Sequence, residues 1–92
     1  MGEWIERFAE ALGSGLEGSE GELGLRDEEV DRVLELARDI AHATERVNAP
    51  LSTYMAGRYV ALREGQGADR ATALQEAIEA ARRSLKESES TQ

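Results

Sequence analysis

The sequence predicts an all-α fold, a single four-helix bundle-like domain, and three observations carry that expectation. Its 92 residues fit one small domain. Leucine, alanine, glutamate and arginine dominate while aromatics make up only 4% of the chain, a balance that favours helix over strand. Apolar residues recur at helical spacing in four stretches, separated by corners that carry glycine or proline. A chain this short buries only about 60–65% of its unfolded surface, so a regular core is needed.

The first helix is expected over residues 3–12, where Trp4, Ile5, Phe8 and Leu12 share one face and Glu6, Arg7 and Glu10 the other. Glu3 and Glu6 complement the positive end of its dipole. This Trp–Phe edge is expected to dock on the other helices. Residues 13–24 lose the periodicity: Gly13, Gly15, Gly18, Gly21 and Gly24 alternate with serine and glutamate, which is the composition of a flexible linker. No GxxxxGK[ST] pattern and no lysine occurs there, and its carboxylates repel phosphate, so it is not a nucleotide loop.

The second helix is expected over 27–44, with Val30, Val33, Leu34, Ala37, Ile40 and Ala41 as its apolar stripe. Asp27, Glu28 and Glu29 lie at its positive end. The third is expected over 50–64. Pro50 fits its first turn, and Ala49 before it is biased out of the helical region. Leu51, Tyr54, Met55, Arg58 and Leu62 form its stripe, which Gly57 interrupts, most simply to admit another helix closely. Gly65-Gln66-Gly67 reads as a glycine C-cap region. The fourth, over 69–86, starts at Asp69 as N-cap and carries Ala71, Leu74, Ile78, Ala81 and Leu85 in alternating three- and four-residue steps. That seam is expected to pack within the monomer, with a homodimer interface as the alternative. Residues 87–92 are expected to form a disordered tail.

Charge and composition narrow the function classes. A formal charge of −8 argues against nucleic acid and against an anionic membrane surface. Arg82, Arg83 and Lys86 are the one basic cluster, and Glu79, Glu87 and Glu89 flank it. No cysteine is present, so there is no disulfide framework or thiolate metal site. No secretory signal or spanning apolar run is visible, and the expected location is the cytoplasm.

The corner between the second and third helices holds the only histidine and the only proline of the chain. Arg38, Asp39, His42, Glu45, Arg46, Ser52, Tyr54 and Arg58 make it the candidate interaction or ligand face. His42 can serve as acid, base or ligand, and Asp39, Glu45 and Arg46 are its helical neighbours. A Ser–His–Asp relay also needs an oxyanion hole, and no nucleophile elbow is present. The expectation is therefore a structural helix-end histidine and no enzyme. A metal site here would be oxygen-rich and lack a second histidine or cysteine, so neither metal nor other cofactor is expected. Arg58 is expected to pair with Asp39 or Glu45, leaving a partner's carboxylate or a ligand phosphate as the functional alternative.

Ala37-Arg38-Asp39-Ile40-Ala41-His42, then Glu45-Arg46 and Ala49-Pro50-Leu51-Ser52-Thr53-Tyr54, resembles a small, uncharacterised helical domain family of actinobacterial proteins. That family's pattern ends a helix in Ala-Arg-Asp-(Val/Ile)-Ala-His. It continues with Glu-Arg, Ala-Pro-Leu-Thr-Thr-(Phe/Tyr) and an alanine- and glycine-rich helix, matched here by Met55-Ala56-Gly57. Ser52 stands where the pattern has threonine, and the acidic glycine segment and the last helix exceed it. Members occur alone or attached to a molybdenum cofactor guanylyltransferase-like domain, so the resemblance implies an accessory link to molybdenum cofactor biosynthesis. Fusion is an associational argument only. Three readings follow: an accessory module that binds a protein partner, such as a molybdenum cofactor nucleotidyltransferase; a site for an anionic pterin or nucleotide; and a structural homodimer.

Overall fold

Helices α1 (Gly2–Gly13), α2 (Asp27–Ala43), α3 (Asn48–Gly65) and α4 (Arg70–Ser90) follow one another in a computed structural model that describes residues 2–14, 16 and 23–90. The four expected helices are all present, and no strand occurs among the described residues. The linker expected over 13–24 lies largely outside those residues. Leu16 is about half exposed.

Local chemistry sets the ends. The Arg26 backbone N–H donates to Glu29 Oε1 at 2.8 Å, and Asp27, Glu28 and Glu29 line the first turn of α2. Thr44 closes that helix by donating its hydroxyl to the Ile40 carbonyl at 2.7 Å. The N–H groups of Asn48 and Ala49 then donate to the carbonyls of Glu45 and Arg46 at 2.9 and 3.1 Å. These turn bonds start α3 two residues before Pro50. Ala49, expected outside the helix, is held inside it against the pre-proline bias.

The far end of α3 is a Schellman motif. Ala68 N–H donates to the Arg63 carbonyl and Gly67 N–H to that of Glu64, both at 3.0 Å, and Gly67 adopts a φ of 95°. Asp69 caps α4 as expected, its Oδ2 accepting from Thr72 N–H at 3.3 Å. The helix then runs to Ser90, so residues 87–90 of the expected tail are helical, while 91–92 lie outside the described residues.

The core is small and one-sided. Leu36 and Ile40 of α2 meet Leu74 and Ile78 of α4, each 6% exposed, with Val33, Ala56, Val60, Ala81 and Leu85 packed around them. Full burial of a side chain of this size stabilises by about 1.5–3 kcal/mol. The expected stripe of α2 needs correcting: Leu36 is inside and Leu34 is half exposed. In α4, Leu74, Ile78, Ala81 and Leu85 face inward as expected, but Ala73 replaces Ala71, which is exposed. The α4 seam packs on α2 and α3 of the same chain.

Helix α3 overturns its expected stripe altogether. Half-buried Ser52, Ala56 and Val60 face the bundle, whereas Leu51, Tyr54, Met55, Arg58 and Leu62 are exposed. Small side chains let α3 lie close to α2 and α4, and the larger ones have no room between them. Gly57 does not mark a close approach either, because a Cβ built there meets nothing within 4 Å.

Helix α1 does not dock in this arrangement. No Cα of α1 lies within 8 Å of a Cα of α2, α3 or α4. Trp4 is 61% exposed and stacks only on Phe8, with ring centroids 5.2 Å apart.

Candidate functional site

The corner residues stand on the last turns of α2 and the first turns of α3, linked by the Glu45–Val47 turn. Arg38, Asp39, His42, Glu45 and Arg46 are exposed there, as are Tyr54 and Arg58, while Ser52 is half-buried. Among the described residues, no side-chain hydrogen bond or ion pair joins any two of these eight. The expected pairing of Arg58 with Asp39 or Glu45 is therefore not made. With its stripe turned outward, Arg58 has neither a buried stem nor a facing carboxylate on α2.

The set is divided between surfaces. Asp39 borders a crevice of about 50 Å³ between α2 and α4, beside Arg32, Glu35 and Arg82. Ser52 lines a much larger groove on the other side of Leu36. Tyr54 and Arg58 line neither, and extend with Leu51 and Leu62 along the outward face of α3. A ligand held jointly by all eight residues has no common cavity here.

The groove, about 770 Å³, is the larger concave feature. Leu36, Ile40 and Thr44 form its floor, Ser52, Met55, Ala56 and Tyr59 its α3 wall, and Ala77, Ala80, Ala81 and Ser84 its α4 wall. Alanine and serine alternate on the α4 side with Glu79, Arg83 and Leu85. At one end stand Tyr59 and Glu76, which belong to a polar cluster that the sequence reading did not single out.

In that cluster Tyr59 donates its hydroxyl to Glu76 Oε1 at 2.8 Å, and Arg63 Nε donates to the same oxygen at 2.9 Å. Arg63 hydrogen bonding, followed by that of Tyr59, holds the Glu76 carboxyl below its usual range. The same carboxylate pushes the Tyr59 phenol up, because ionising it would replace a donor with a second negative charge. A second tie sits at the same end of the bundle, where the start of α4 meets the start of α2. Arg70 grips Glu29 through Nε at 2.8 Å and Nη2 at 2.9 Å, and Arg32 bonds Gln75. These ties cross 41 to 43 residues of sequence on the surface of the bundle and position helices rather than chemistry.

No three-residue group of His, Cys, Asp or Glu suited to a metal occurs among the described residues. Nor is any helix among them long and apolar enough to cross a membrane. The His42 imidazole makes no hydrogen bond to a described residue. The arrangement offers apolar surface, a shaped groove and free-standing arginines, which is chemistry for recognition.

Comparison with known proteins returns no matching curated protein and no matching solved structure. One family model matches residues 1–92, and the chain belongs to that family, a domain of unknown function (DUF6457).

Proposed function

We propose that this protein is a non-enzymatic helical accessory module that binds a protein partner through the outward face of α3 and the adjoining α2–α3 corner. The observation that carries the reading is the inversion of α3. Its small residues fill the bundle, while Leu51, Tyr54 and Leu62 stand outside, Tyr54 at 70% and Leu62 at 66% exposure. Large exposed apolar side chains along one helix face, on a chain of net charge −8, are the kind of surface that marks an interaction site. Its composition is that of interface centres: the aromatic Tyr54 beside Leu51, Arg58 between Tyr54 and Leu62, and Arg46 on the adjoining corner. The complementary surface is apolar, with carboxylates set to meet those arginines.

The resemblance to domains attached to molybdenum cofactor guanylyltransferase-like proteins supplies the first partner to test, a molybdenum cofactor nucleotidyltransferase. Purified protein is expected to co-elute with it, and Leu51→Glu or Tyr54→Glu to weaken the complex at least about tenfold, as loss of a buried interface anchor does. Both positions are exposed, so helicity by circular dichroism is expected to survive. Undiminished binding by folded variants rejects this face. The anionic pterin or nucleotide alternative has less support, since Arg38, Arg46 and Arg58 share no cavity and the groove is largely apolar.

A further inference from the structure

Two features of the molecule are each incomplete alone. Helix α1 presents Trp4, Phe8 and Leu12 to solvent on one face, and its 12 residues fall short of what an isolated helix needs to be stable in water. Its apolar stripe requires a surface to rest on. The groove between α3 and α4 is such a surface, open directly above the core side chains Leu36 and Ile40.

We infer that this groove is the seat of α1 of the same chain, which closes over it as a fourth helix. The dimensions match. From Trp4 to Leu12 the stripe is about 12 Å long, and the α4 wall from Ala77 to Leu85 is also about 12 Å. Ala77, Ala80, Ala81 and Ser84 are small side chains on the α4 wall that leave room for large ones such as Trp4 and Phe8, while Glu79 and Arg83 border the same wall with charges that can stay in solvent. A groove contacts an incoming helix on both flanks and along its floor, whereas the convex outward face of α3 offers a single line. That outward face therefore stays available to a partner.

The connection decides between this chain and another copy. Thirteen residues, 14–26, join α1 to α2 and can span up to about 47 Å. The groove floor begins nine residues into α2, about 14 Å from its start, so it lies well within reach. A tether this short presents α1 at an effective concentration on the order of millimolar, which a second molecule matches only at comparable protein concentration.

Trp4 is the only tryptophan, so fluorescence of the full chain reports α1 alone. Seated, its emission is expected to be blue-shifted from that of the denatured chain, several-fold less quenched by acrylamide, and unchanged by tenfold dilution. Ala80→Glu places a charge in an exposed wall of the groove without touching the core, and is expected to return emission and quenching to the denatured values while the helical signal of α2–α4 persists. Ala61→Glu, exposed on α3 outside the groove, is expected to change neither. Emission equal to the denatured chain in the unmodified protein overturns the inference. So does a blue shift that Ala80→Glu leaves intact, and one that disappears on dilution assigns the groove to α1 of a second copy instead. Because Leu51 and Tyr54 do not line the groove, failure of this test leaves the binding test of the α3 face unaffected, and the reverse.

Discussion

Helices α2 and α3 are neighbours of almost equal length, 17 and 18 residues, and they dispose of their large apolar side chains in opposite ways. In α2, Leu36 and Ile40 point into the bundle. In α3 the bundle receives Ser52, Ala56 and Val60, while Leu51, Tyr54 and Leu62 remain outside. An apolar stripe on a helix states that the helix is two-faced. It does not state which neighbour the apolar face meets, and in α3 that face meets none of the other described helices.

The comparison breaks most readily at the core. Ile40→Ala or Ile78→Ala is expected to cost about 2–5 kcal/mol in chemical denaturation, through lost transfer energy and the cavity left behind. Leu62→Ala on α3 is expected to stay within about 0.5 kcal/mol, as exposed substitutions usually do. Equal losses at Ile40 and Leu62 would show that the outward face of α3 is covered within the chain.

Two glycines, one in α3 and one in the turn that ends it, sharpen the contrast. Gly67, at a φ of 95°, holds the Schellman turn, and Gly67→Ala is expected to destabilise by about 1–2 kcal/mol for the strained backbone. Gly57 is helical with open space around its Cβ position, so Gly57→Ala is expected to stabilise by about 0.5–1 kcal/mol. Thermal melts of both variants check the signs. A destabilised Gly57→Ala would reveal a helix lying against α3 at that point.

The smallest effect concerns Glu76 at the end of the groove. Its folded pKa lies below the ordinary glutamate value of 4.5, so its contribution is complete above that value and is lost as pH falls through the folded one. Glu76→Gln is therefore expected to lower the melting temperature slightly at neutral pH and to converge with the unmodified protein only in acid below the folded pKa. The cluster is solvent-facing, so added salt is expected to shrink the difference. A deficit that persists undiminished in acid would assign the loss to packing rather than charge.

Much of this was legible beforehand, and the reasons differ from element to element. The Asp69 cap and the glycine at the end of α3 are local chemistry, decided within four or five residues, and both appear where their residue types place them. The inward set Leu74, Ile78, Ala81 and Leu85 was legible because α4 lies between two neighbours with few large apolar residues to choose among. Leu36 was missed for Leu34 because the two lie two residues apart on a helix whose borders are set by the crossing of α4. The polar ties of Tyr59, Arg63 and Glu76, and of Glu29 and Arg70, join residues 13 to 41 apart in sequence, and no local pattern announces them.

The candidate face fared in the same way. His42, Arg46 and Tyr54 are exposed, a location their polarity and the helix ends suggest, but the sequence does not contain the rotation of α3 that separates Ser52 from Tyr54. By itself, the sequence determined four helices, the Asp69 cap and the glycine turn that ends α3, because those follow from backbone preferences and nearest-neighbour hydrogen bonds. Only the tertiary structure decided which stripes became core. Close packing admits small side chains where helices approach, and it turned the large apolar side chains of α3 outward.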